Sequence, residues 1–291
     1  MTVSPLARPF LHAVLLVVGA VTMAATAAES APTDLVVLIG QSNMDGRGQV
    51  AQLTAEQARP VPAIRFFYSN PPASSGGWVP LAPGYSVAPG TKSPVTLPGP
   101  TFGPEVGFGP ALLAAVPALH LAILKTCKGG TSLAKDWKPG EHGVSAGQGP
   151  CYRAFLAAVA AARPALGGAS RLRALVWHQG ESDAALPAGE YHGLLTTFIA
   201  RVREDLGEAH LPFVVGEVFD NGKRDAVRAA QRAVAGEIPG VVFVPALGTV
   251  TSDKGTHFDA ASQLEMGKRY AAALAPLLGP SAAGGQAPAA P

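Results

Sequence analysis

The sequence has 291 residues, 48% of them hydrophobic and only 14% charged, with a formal net charge of +2. That length supports one sizeable α/β domain with a well-buried core. No basic run interleaves with aromatic residues, which argues against a nucleic-acid partner, and no stretch reaches the roughly 20 apolar residues of a membrane-spanning helix.

The chain opens with Arg8, an apolar run over 13–23 and small residues over 24–28. This order predicts a secretory signal peptide, residues 1–28, and hence a secreted or periplasmic protein that leaves no membrane anchor after cleavage. An uncleaved N-terminal anchor is the alternative. Residues 29–278 read as a single domain, and the Ala/Gly/Pro/Ser composition of 279–291 predicts a disordered tail.

The first strand is expected at 35–39, an apolar, β-branched run that stops at Gly40 and presents Gln41, Ser42 and Asn43. A second strand is expected at 64–68. Residues 69–104 are dense in Pro, Gly and Ser and predict a long segment without regular structure, either a wall of a cleft or a surface insertion. A helix follows at 105–115, beside Pro104 and before Pro117. The strand expected at 119–126 runs into Cys127-Lys128-Gly129-Gly130-Thr131-Ser132-Leu133. Residues 152–163 form a helix stopped by Pro164. The buried strand at 172–177 then delivers His178-Gln179-Gly180-Glu181-Ser182-Asp183. An amphipathic helix (188–206), a strand (213–218), a helix (224–235), a strand (241–244) and a terminal helix (262–278) complete the chain. Strands alternating with helices predict a three-layer α/β/α sandwich on a central parallel sheet. No internal repeat or second-domain boundary is visible. Cys127 and Cys151 can form one disulfide or stay as two thiols, and neither has a metal-binding spacing.

Three strand ends carry polar clusters in this weakly charged chain: the Ser42 turn, the Gly129-Gly130 loop and the 178–183 loop. In a parallel sheet these ends open onto one edge, where α/β proteins place their ligands. A fourth cluster, 252–259, precedes the terminal helix. Acyl transfer from serine needs a base, a carboxylate to orient it, and donors for the oxyanion. Of the histidines, His120, His142, His192 and His210 read as packing or surface residues. His178 ends a strand and points into the site or its floor. His257, in a loop among acids, is the candidate base. His178 and Glu181 have an H-x-x-E spacing without a third metal ligand.

Gly40-Gln41-Ser42-Asn43-Met44 resembles the nucleophile block of the SGNH hydrolases, most like the branch of sialate O-acetylesterase-like proteins and carbohydrate esterase family 6. It is neither a G-x-S-x-G elbow nor a P-loop. Lys-Gly-Gly-Thr-Ser-Leu, Trp-His-Gln-Gly-Glu and the His257 block follow in the family's order over nearly the whole mature chain. The resemblance implies a flavodoxin-like fold with Ser42 as nucleophile and His257 as base. Its Asp-x-x-His pattern points to Asp253, here one residue further away because Lys254 intervenes. Glu181 is the competing orienting acid, and Asp259 a third. The resemblance assigns the oxyanion to the Ser42 amide, the Gly130 amide and the Gln179 side chain. Gln41, Asn43 and His178 are then turn or substrate-binding residues. The implied reaction is removal of O-acetyl groups from an acetylated carbohydrate, such as acetylxylan or sialic acid, without metal or other cofactor. A carbohydrate-binding protein on the same scaffold and an O-acetyltransferase are the alternatives.

Overall fold

The computed structural model describes residues 1–2, 31–87 and 97–279. The expected signal peptide and the tail beyond residue 279 lie outside the described residues.

The apolar run 35–39 forms the middle of β1 (Thr33–Gly40). Successive side chains point to opposite faces of a strand, and both faces here are covered. Leu35, Val37 and Ile39 enter one apolar core, and Val36 and Leu38 the other. A one-turn helix, α1 (Ser42–Asp45), follows directly. Next come β2 (Gly48–Gln49), β3 (Val61–Asn70), β4 (Ala73–Ser74), β5 (Val79–Leu81) and β6 (Thr101–Phe102). The rest alternates: α2 (Glu105–Ala115), β7 (Leu121–Cys127), α3 (Pro150–Ala162), β8 (Ser170–His178), α4 (Ala188–Asp205), β9 (Phe213–Gly216), α5 (Asp225–Glu237), β10 (Val241–Val244) and α6 (Ala260–Leu274).

The main sheet runs β10-β9-β8-β1-β7-β3-β4, with β5 also paired to β3. Strands β3, β7, β1, β8, β9 and β10 are mutually parallel. The core on one face holds Tyr152 and Phe155 of α3 and Phe198 of α4, and that on the other holds Phe108 of α2 and Tyr270 of α6. The molecule is therefore the expected three-layer α/β/α sandwich.

One expectation is corrected, and one open alternative is decided. Part of 69–104 is ordered as an antiparallel edge, with β4 and β5 folding back on β3. Aromatic burial anchors it: Trp78 packs edge-on against Phe67 at 5.6 Å between ring centroids, and its Nε1 donates to the Ala162 carbonyl at 3.1 Å. Residues 88–96 lie outside the described residues. Cys127 and Cys151 are both buried free thiols rather than a disulfide. Burial, reinforced by Asp136, pushes the Cys151 thiol up to about 11.

The register of β1 positions the site. Gly40 pairs with Cys127 on one side and with His178 on the other. The turn after β1 therefore emerges between the loops that follow β7 and β8. It is pinned from both sides, with the Gln41 amide donating to the His178 carbonyl at 3.0 Å and the Lys128 amide to the Gly40 carbonyl at 3.1 Å. Glycine is required at position 40, where φ is +148° and a Cβ would lie 2.0 Å from the His178 carbonyl oxygen.

Candidate active site

Ser42 begins α1 and is 4% exposed. Its Oγ lies 3.0 Å from Nε2 of His257, and His257 Nδ1 lies 2.6 Å from Oδ2 of Asp253. A carboxylate on Nδ1 fixes the proton there and turns the Nε2 lone pair toward the serine hydroxyl, the tautomer a general base needs. Asp253 also accepts, through Oδ1, the amides of Thr256 (2.8 Å) and His257 (3.0 Å). Burial alone would raise the Asp253 carboxyl, but those amides and the His257 ring outweigh it and hold it below the ordinary aspartate range.

The extra residue in this loop is absorbed by its turn. Gly255 takes φ +88°, the Ser252 amide donates to the His257 carbonyl at 2.8 Å, and Thr251 bridges Phe258. The other two acids are elsewhere. Asp259 caps α6, accepting the Ser262 amide at 2.8 Å. Glu181 accepts from Asn43 Nδ2 at 2.6 Å and faces His178 Nε2 at 3.5 Å, away from the His257 ring nitrogens that Ser42 and Asp253 occupy.

Gln179 does not face the crevice, contrary to its expected place in the oxyanion hole. It is fully buried, and its two Nε2 hydrogens are shared among Asp183 Oδ2 (2.5 Å), the Thr131 carbonyl (3.0 Å) and Gln41 Oε1 (3.2 Å). The longer glutamine arm reaches a buried carboxylate, and a charge-assisted bond holds it there. That carboxylate, Asp183, also accepts the Leu133 amide at 2.7 Å and so ties the loops after β7 and β8 together.

Of the glycine pair, the residue nearer Ser42 is Gly129. A Cβ at Gly129 would lie 3.5 Å from Ser42 Cβ and 2.8 Å from Arg47 Nη2, whereas one at Gly130 meets nothing within 4 Å. Gly129 is thus the residue backed against Ser42, and Gly130 supplies the left-handed turn at φ +71°.

None of the three expected substrate-binding side chains opens onto solvent: Gln41, Asn43 and His178 are all buried. Gln41 Oε1 accepts from Gln179 and from the Ser182 amide. His178 Nδ1 bonds to Tyr270 Oη at 2.7 Å, with Phe258 edge-on to its ring. Their polarity serves internal bonds, which residue type alone did not distinguish from substrate contacts.

Below Ser42 lies a buried network of acidic and basic side chains that sequence reasoning missed. Asp45, the last residue of α1, accepts from Arg47 Nη1 and from Tyr68 Oη, both at 2.7 Å. Lys125 of β7 donates to the Asp45 carbonyl at 2.7 Å and pairs with Glu105 of α2 at 2.8 Å, neither side chain exposed. Burial and the neighbouring Asp45 raise the Tyr68 phenol far above its ordinary range, so it remains a neutral donor. The available signal was a lysine inside an otherwise apolar strand.

Comparison with known proteins bears on what this arrangement is. A family model described as carbohydrate esterase, sialic acid-specific acetylesterase matches residues 32–276. A probable carbohydrate esterase of Arabidopsis thaliana is 27% identical over 175 residues, 59% of this chain and 62% of that protein, so the match spans under two thirds of the relative's length. Among solved structures, an Arabidopsis thaliana protein superposes with a TM-score of 0.68 at 23% identity, covering 85% of this chain and 99% of the other. A carbohydrate acetylesterase from Xanthomonas citri superposes with a TM-score of 0.59 at 18% identity, covering 84% of this chain and 56% of the other. These likenesses are to the fold alone, whereas the family model spans nearly all the described sequence. The chain belongs to the sialic acid-specific acetylesterase family of carbohydrate esterases.

Proposed function

We propose that the protein is an exported serine esterase that removes O-acetyl groups from carbohydrate. The observation that carries this reading is the 3.0 Å approach of His257 Nε2 to Ser42 Oγ with Asp253 on the opposite ring nitrogen. Ser42 Oγ attacks the acetyl carbon as His257 takes its proton. The tetrahedral intermediate then expels the sugar oxygen, which receives that proton from His257, and leaves an acetyl-serine. Water, deprotonated by His257, hydrolyses the acetyl-serine to acetate and restores the serine. Asp253, rather than Glu181 or Asp259, orients the base and stabilises its imidazolium. We assign the oxyanion to the amides of Ser42 and Gly129, the glycine packed against the nucleophile. Export rests on the composition of residues 1–28 alone, and the mature N-terminus of the exported protein, determined by mass, should lie near residue 29.

Acetate release from acetylated xylan and from O-acetylated sialic acid tests the reaction and chooses between the sugars. Ser42→Ala should lower kcat by about a million-fold while leaving the fold intact. Release that survives this substitution would sink the nucleophile assignment.

A further inference from the structure

Asn43 follows the nucleophile in sequence, yet its side chain grips the loop of the base. Its Oδ1 accepts the Phe258 amide at 3.0 Å, and its Nδ2 donates to the Thr256 carbonyl at 2.8 Å. Thr256 and Phe258 are the two neighbours of His257, so a single carboxamide holds the backbone on both sides of the imidazole. Because the Phe258 N–H can meet only an acceptor, the amide has one orientation. Its remaining N–H then points at Glu181, where it makes the 2.6 Å bond to Oε1.

Glu181 is in turn backed by His178. Its Oε1 faces His178 Nε2 at 3.5 Å, and His178 Nδ1 bonds to Tyr270 Oη of α6 at 2.7 Å. The chain of contacts is closed: Tyr270, His178, Glu181, Asn43, the His257 loop, then α6, which starts three residues after His257 and carries Tyr270. On the outer side the loop is steadied by Arg224, which donates to the Gly255 carbonyl and to Thr256 Oγ1. Burial would raise the Glu181 carboxyl, but His178 and the Asn43 amide outweigh it and hold it below the ordinary glutamate range. Within the ring it is therefore an anionic acceptor, the stronger kind.

Given the serine-esterase reading above, we propose that Asn43 and Glu181 are positioning residues. Asn43 sets the Ser42–His257 separation by clamping both neighbours of the base, and Glu181 acts through Asn43 by locking its carboxamide. Asp253 is partly exposed in a loop that carries Lys254 and Gly255, so the buried clamp is what gives the base a fixed distance from the nucleophile. A displacement of about 1 Å at such a pair costs on the order of 100-fold in rate.

The test separates an acceptor acting at a distance from a carboxylate acting on the base. Glu181→Gln keeps an acceptor oxygen for Asn43 and should hold kcat within about tenfold of wild type. Glu181→Ala and Asn43→Ala should each lower kcat about 100-fold with KM little changed. The double variant should be no worse than Asn43→Ala, because Glu181 acts through that residue. Asp253→Asn should be far more damaging than Glu181→Gln. Thermal melts accompany each variant, and comparison at a temperature well below every Tm removes unfolding as a cause. The proposal is overturned if Glu181→Gln is as damaging as Asp253→Asn, if neither alanine variant slows turnover, or if the two alanine losses multiply. The same series read by the rate at which a fluorophosphonate labels Ser42 reports placement of the base without any acetylated sugar. An error in the substrate class therefore leaves this test standing. Failure of wild-type Ser42 to label would overturn the esterase reading and the clamp together.

Discussion

Two acids competed in the sequence for one histidine, and the structure gives each a different partner. Asp253 meets His257 through both carboxylate oxygens, while Glu181 is sealed beneath Asn43. The burial of the Glu181 side chain gives a pH prediction. The unfolded chain takes up the Glu181 proton near the ordinary value of 4.5, the folded chain at lower pH. Between those values the unfolded state binds more protons, so stability rises with pH. The contribution of ionised Glu181 is thus present above about pH 4.5 and lost as pH falls through the folded value. Urea midpoints of wild type and Glu181→Gln, measured from about pH 6 to about pH 3, should converge as pH falls. A gap that stays constant would contradict the buried, ionised assignment. At this scale the sequence told which residue types mattered and misled on direction. The meeting of Ser42 and His257 was legible because one ends a parallel strand and the other stands in a loop among acids, both on the ligand-binding edge of the sheet. Gln179 was not, because an amide serves an oxyanion and a buried aspartate equally well.

Among the elements, β7 and α2 share the least expected contact, the pair of Lys125 and Glu105 beneath α1. Lys125 is one of two donors, with Ser86, that hold the Asp45 carbonyl at the end of α1. Lys125→Met leaves Glu105 buried without its cation and should cost about 3–5 kcal/mol of stability by urea denaturation. Adding Glu105→Gln should recover part of that loss, since burial raises the Glu105 carboxyl even beside Lys125 and penalises an unpaired carboxylate there. If the single variant matches wild type, the network does not support the fold. Both ends of α2 were legible, set by Pro104 and the helix's return before Pro117. The antiparallel β4–β5 edge was not, because its turn-rich sequence shows no alternation and its order comes from Trp78 reaching Phe67 and the end of α3.

Across the whole molecule, the parallel sheet was readable because each buried strand is a short apolar run bounded by Gly or Pro and followed by a helical pattern. The pairing of the cysteines was not readable, since 23 intervening residues permit a disulfide without requiring one. Titration of the unfolded, unreduced protein should return two thiols per chain, and a value of zero would mean that Cys127 and Cys151 approach each other in solution. The hydrogen bond between Ser42 and His257 joins residues 215 apart in sequence, and the base lies between the last strand and the last helix. On the proposed esterase reading, latency is therefore built into the order of the chain. A growing polypeptide that has folded every strand but not yet docked α6 would carry its serine without a base, and reactivity would arrive only with α6.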